Sequence, residues 1–184
     1  LDCNSETIVV KGDWTNTVGV SAFYQETGIV EFYGTAIQYC SGEQFNVLNL
    51  NKSGGELRFL TGTTECNSYN WTDGAIRVNG GTFIAADLAD DGIIGDIYVS
   101  AGQLTFTQDA SQYVDLNGYL NISGGTMTIW GGGDDSYWPY AGDATIMMSG
   151  GALEFRNVGI NIVNSTTYTF GEGIHGGTIR TTGR

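Results

Sequence analysis

The segment "WGGGDDSYWPYAGDA" (130–144) sets Trp130, Tyr137, Trp138 and Tyr140 beside Asp134 and Asp135. Flat aromatic faces suit sugar rings, and neighbouring carboxylates suit sugar hydroxyls or a calcium ion that holds them. Pro139 follows Trp138 and stiffens the segment. The competing reading folds these aromatics back over the coil edge or onto a neighbouring domain. A second acidic run, "DLADDGIIGD" (87–96), gathers Asp87, Asp90 and Asp91. With Asp109, Asp134 and Asp135 it is expected to cluster at one corner of the fold. Asp90, Asp91, Asp134 and Asp135 are therefore the candidate calcium ligands, because hard cations need several oxygens close together. The spacing fits no EF-hand loop, so a solvated acidic ridge is the preferred reading, and no other cofactor is expected.

Acid–base and nucleophilic chemistry have fewer candidates. The chain holds one histidine, His175, and no GxSxG phrase, which leaves a Ser-His-Asp system without support. Its two lysines, Lys11 and Lys52, lie in the first third with no accompanying acid cluster, as a lyase would require.

Charge narrows the partners. Seven Lys+Arg against 20 Asp+Glu give a formal net charge of −13, which repels nucleic-acid backbones and anionic membranes. No apolar run approaches the ~18 residues of a membrane-spanning helix. Glycan, other cell-surface molecules and neighbouring domains of the same chain are the partners left.

The elements that position these groups come from a repeat. "RVNGGTFIA", "VSAGQLTF", "NISGGTMTIW", "MMSGGALEF" and "GIHGGTIR" share one phrase, apolar residues alternating on each side of a Gly-Gly or Ala-Gly pair. Aligned on Gly55, Gly81, Gly102, Gly125, Gly151 and Gly177, with Gly28 before them, the steps run from 21 to 27 residues. A period of this size with strand-like content signals a solenoid. Period-2 alternation gives each strand one buried face, and glycine turns the chain between strands. The predicted fold is all-β: a right-handed parallel β-helix of about three strands per coil and six to seven coils, stacked roughly 4.8 Å apart. Residues 1–184 form one such domain, expected to be a segment of a larger protein.

The alignment predicts an inward column of Val30, Leu57, Phe83, Leu104, Met127, Leu153 and Ile179. The outward column is Glu31, Arg58, Ile84, Thr105, Thr128, Glu154 and Arg180, with Glu31–Arg58 and Glu154–Arg180 as cross-coil pairs. Ser53, Asn79, Ser100, Ser123, Ser149 and His175 form a polar ladder before the glycines. Cys40 and Cys66 sit at matched offsets from Gly28 and Gly55, which predicts a disulfide between adjacent coils and leaves Cys3 over; three buried thiols are the alternative. "TFT" (105–107) and "TMT" (126–128) stack as an ice-binding face would, but Ile84, Glu154, Arg58 and Arg180 interrupt the array.

Two resemblances bear on function. "WTDG" (71–74), the Asp90-Asp91 pair and "GIHGG" (173–177) are similar to motifs of pectin-cleaving hydrolases, a β-helical class. The likeness fails on distance. His175 lies 84 residues past Asp91, about three and a half coils or roughly 17 Å, whereas shared proton transfer needs about 3 Å. The family's Arg-x-Lys is also missing.

The N-terminal third resembles a recurrent module of secreted adhesin-like surface proteins from Bacteroidetes-type bacteria. The matching phrases are "GDWTNT" (12–17), "TGIVEFYGTAIQYCSG" (27–42) and "FNVLNLNKSGG" (45–55). Tyr39-Cys40 departs from the module's apolar residue. The resemblance implies an extracellular, repetitive chain and assigns no ligand. The expected function is a non-enzymatic structural or adhesive segment of a large surface protein. The alternative is a carbohydrate-binding or polysaccharide-processing protein that uses 130–144.

Overall fold

The computed structural model describes residues 1–19, 22–86, 95–108, 118–131, 144–157 and 169–182. Eleven strands carry them: β1 (Thr7–Val10), β2 (Trp14–Thr15), β3 (Ile29–Tyr33), β4 (Gln38–Ser41), β5 (Gln44–Phe59), β6 (Thr63–Ala85), β7 (Asp96–Gln108), β8 (Gly118–Ile122), β9 (Thr126–Gly131), β10 (Ala144–Arg156) and β11 (Thr169–Thr182). The ladder order is β1-β3-β5-β6-β7-β8-β10-β11, with β9 between β7 and β10, and β2 pairs β4. These pairings are parallel, as coils wound in one direction require. The chain is a β-solenoid of about six turns.

Alternation makes the core. Phe83, Leu104, Met127 and Leu153 stack rung on rung, each at most 1% exposed. Ile76, Ile97, Leu120 and Ile146 form a second buried stack on another face. Phe59 and Phe83 lie face to face at 4.4 Å, with Tyr69 edge-on to Phe83 at 5.5 Å. Stacked coils bring like side chains together in successive rungs, so the core fills as continuous columns.

The corner alignment needs one correction. Gly81, Gly102, Gly125, Gly151 and Gly177 do form one ladder, but its earlier members are Gly62 and Gly42 rather than Gly55 and Gly28. Gly55 belongs to a second corner, stacked with Gly74, Gly95 and Gly118. Gly28 is elsewhere, pressed against Cys3. Both corners turn on glycine, so the phrase "SGG" does not reveal which corner it marks.

The inward column therefore holds from Phe83 to Leu153; Ile179 keeps the register opposite Leu153 but is 46% exposed, while Leu57 stacks on Ile76 and Val30 on Leu48. Glu31 faces Asn49, not Arg58; Arg58 pairs with Glu56 at 2.7 Å. Glu154 and Arg180 do pair across coils, at 2.9 Å. Asn79, Ser100, Ser123 and Ser149 are exposed, so that ladder runs outside the corner; Ser53, also exposed, belongs with Gly55 to the second corner.

The same shift undoes the disulfide. Cys40 sits opposite Trp14 and Phe59, whereas Cys66 sits opposite Phe45, a different column of the coil. Cys3, Cys40 and Cys66 are buried free thiols. Burial pushes the Cys40 thiol up to about 12 from its usual 9.0, against a weak opposing bond from Thr64. Burial, then the neighbouring Cys40, raises Cys66 further. Between the unfolded value of 9.0 and about 12 the unfolded chain holds fewer protons than the folded one, so stability falls as pH rises. Buried Tyr69 is raised as well and adds to the fall, while Lys52, lowered by burial, opposes it. Native protein should resist a water-soluble thiol reagent and yield three thiols in denaturant. Its denaturation midpoint should drop between about pH 8 and 11. A midpoint that rises, or a yield of one thiol, contradicts this arrangement.

Candidate functional site

A face of the solenoid is built by the ends of β6, β7, β9 and β10. Inward residues there are apolar, so period 2 sends their neighbours outward. Gln103 pairs with Thr126, Thr105 with Thr128, and Thr107 with Trp130. The next rung brings Glu154 beside Thr128 and Arg156 beside Trp130. These residues and Ile84 line a recess of about 380 Å³.

Trp130 is its most informative member. It is 49% exposed, whereas Trp71, in the core, is 5% exposed. Its strand holds the ring between Thr107 and Arg156. At the other side, Glu154 accepts bonds from Arg156 Nη2 at 2.6 Å and Arg180 Nη1 at 2.9 Å. The Arg156 bond foremost, then Arg180, holds the Glu154 carboxyl below the usual range against the opposing effect of burial. That carboxylate is an ion-pair partner, not a poised acid. Hydroxyls, one amide, one indole face and the Ile84 side chain make up the rest of the lining.

The predicted aromatic and acidic groups fall unevenly. Trp130 lines the recess. Tyr137, Trp138 and Tyr140, and the candidate calcium ligands Asp90, Asp91, Asp134 and Asp135, lie outside the described residues. Among the described residues no three His, Cys, Asp or Glu side chains come close enough to hold a metal ion. Asp73 accepts a bond from Gly74 N at 2.7 Å at the second corner. The backbone of His175 lies on β11, four ladders from β6, or roughly 19 Å. Lys52 is fully enclosed; Nζ donates to Gln38 Oε1 and to Gly34 O, so no substrate reaches it.

Two other recesses lie among the described residues. One of about 390 Å³ follows the second corner past Gly55, Gly74 and Gly95. Its three carboxylates are engaged: Glu56 by Arg58 and Arg77, Asp96 by Tyr119 N and Tyr98 OH, and Asp73 by Gly74 N. The other, about 200 Å³, lies at the N-terminal coil and accounts for "GDWTNT". There Trp14 packs edge-on against Phe23 and Phe45, and Trp14 Nε1 and Asn16 Nδ2 donate to buried Glu43 at 3.3 and 2.8 Å. The Asn16 side chain also caps the following turn through Val18 N and Gly19 N. That phrase is structural.

The sequence raises Thr105, Thr107, Thr126 and Thr128 only as an interrupted ice-binding face, and Gln103 not at all. The available signal was their position: each lies an even number of residues from Trp130 or on the matched rung, and so shares its face. Arg58 does not interrupt this face, because it stacks on Arg77 across the solenoid.

The chain matches no family model, no curated protein sequence and no solved structure.

Proposed function

We propose that the chain is a non-enzymatic adhesive segment of a large extracellular bacterial surface protein, and that it holds its partner on the outer face beside Trp130. The observation that carries this reading is the recess itself, an exposed indole and a row of hydroxyls fixed on a stacked sheet. A surface made of neighbouring strands keeps its geometry without a partner, so little ordering entropy opposes contact. The ionisable lining groups are Glu154 and Arg156, tied to each other; general acid–base catalysis needs groups free to exchange protons. The likeness of residues 12–55 to modules of secreted adhesin-like proteins supports the extracellular setting. Further domains of the same protein, flanking this segment, are part of the reading.

Retention on a panel of extracellular polysaccharides, assayed together with bond cleavage, tests it. The expected result is retention with no new reducing ends and no unsaturated product. Cleavage of a retained polymer overturns the non-enzymatic reading, and retention on none overturns the adhesive one.

A further inference from the structure

Resting on that adhesive reading, we infer that the recess of Gln103, Thr105, Thr107, Thr126, Thr128 and Trp130 is a binding site for an uncharged polysaccharide whose chain runs along the solenoid axis. Three observations converge.

The first is spacing. Polar pairs recur on successive coils, Gln103 with Thr126 and Thr105 with Thr128, one coil rise or about 4.8 Å apart. That rise is close to the length of one pyranose residue in an extended polysaccharide. A chain crossing β7, β9 and β10 therefore meets a fresh set of polar groups at each sugar. Threonine hydroxyls both donate and accept, as does the Gln103 amide; Thr107 donates to Ala85 O at 3.4 Å and so offers an acceptor, while Thr128, 7% exposed, is reached only through the recess.

The second is the aromatic wall. Trp130 projects from the same face, half exposed, where its ring offers an apolar surface to the C–H face of a sugar. The indole N–H can serve as a donor at the edge of the stack.

The third is charge. The two charged lining groups, Glu154 and Arg156, cancel, and Arg180 beside them leaves one surplus positive charge in a chain of net charge −13. The summed field repels polyanions, so an acidic polymer is disfavoured and an uncharged one is not. Ile84 and Trp130 break the hydroxyl array, which disrupts the regular flat lattice an ice surface would require.

Affinity electrophoresis of the whole chain in gels containing hydroxyethylcellulose, mannan or arabinoxylan, with polygalacturonate as the charged control, tests the inference. Wild type should be retarded by at least one neutral polymer, equally at about 50 and 500 mM salt. Trp130→Ala should weaken that retardation about tenfold, as loss of an aromatic anchor does. Thr105→Val with Thr128→Val, which preserves strand propensity, should weaken it about threefold with an unchanged melting temperature. Wild-type retardation that Trp130→Ala leaves intact overturns this inference alone. So does retardation confined to polygalacturonate and lost in salt. Retardation by no polymer overturns the adhesive reading with it.

Discussion

Gly125→Val is expected to lower the melting temperature by about 10 °C, whereas Thr128→Val shifts it by no more than about 2 °C. Gly125 has φ +69°, and a Cβ there would sit 2.6 Å from Gly102 O and 2.8 Å from Ala101 C. A β-branched residue at positive φ costs roughly 1–3 kcal/mol. Forcing backbone apart on the adjoining coil adds a similar roughly 1–3 kcal/mol. At about 2–4 °C per kcal/mol for a chain of this size, the two together give the expected drop. Thr128, 7% exposed, faces the recess rather than the core, on a strand where valine is as good a former. Differential scanning calorimetry of both variants decides it. Equal melting temperatures would contradict the corner assignment.

Phe83→Ala should cost about as much for a different reason. The ring stacks on Phe59 at 4.4 Å and 5° and meets Tyr69 and Phe106 edge-on at 5.5 and 6.4 Å and at steep angles. It is fully buried at the junction of β5, β6 and β7. Truncating such a ring costs roughly 3–5 kcal/mol, the transfer loss plus the cavity. Trp130→Ala removes a larger side chain, yet one already half in water, and should cost far less. Urea denaturation of the three proteins should rank wild type and Trp130→Ala close together and Phe83→Ala well below. A Phe83→Ala midpoint within error of wild type would mean that this aromatic column does not hold the coils together. Because each coil touches only its neighbours, the damage should also reduce cooperativity between the two ends.

Much of this fold was legible in the sequence. Leu104, Met127, Leu153 and Phe83 lie at one offset from their glycines, and the coils place them in one column. Glu154 and Arg180 meet for the same reason. The N-terminal coils were misread because rungs there come every 19 to 21 residues, Gly42 to Gly62 to Gly81 to Gly102, and later every 23 to 26. A single period cannot follow both. With two glycine corners per coil, "KSGGELRF" reads like the corner at Gly125 and belongs to the other one. The Cys40–Cys66 disulfide and the Glu31–Arg58 pair both inherited that error.

Function was less legible for a geometric reason. Trp130 stood out as an exposed aromatic in the sequence, and the fold puts it at a recess. Its partners come from neighbouring coils, Thr107 at a distance of 23 residues and Arg156 at 26. No local motif joins them, since a solenoid assembles its faces from residues one period apart. Buried Lys52 shows the converse case. A lysine in a strand-rich chain reads as surface, yet its ammonium is satisfied inside the coil by Gln38 and Gly34.

The most direct test is an amide hydrogen-exchange footprint of the whole chain with and without a retained neutral oligosaccharide. The account predicts slowed exchange confined to three segments one coil apart, 103–107, 126–130 and 152–156, with the protection lost in Trp130→Ala. Protection centred on 132–143, at either end of the solenoid, or nowhere would contradict it.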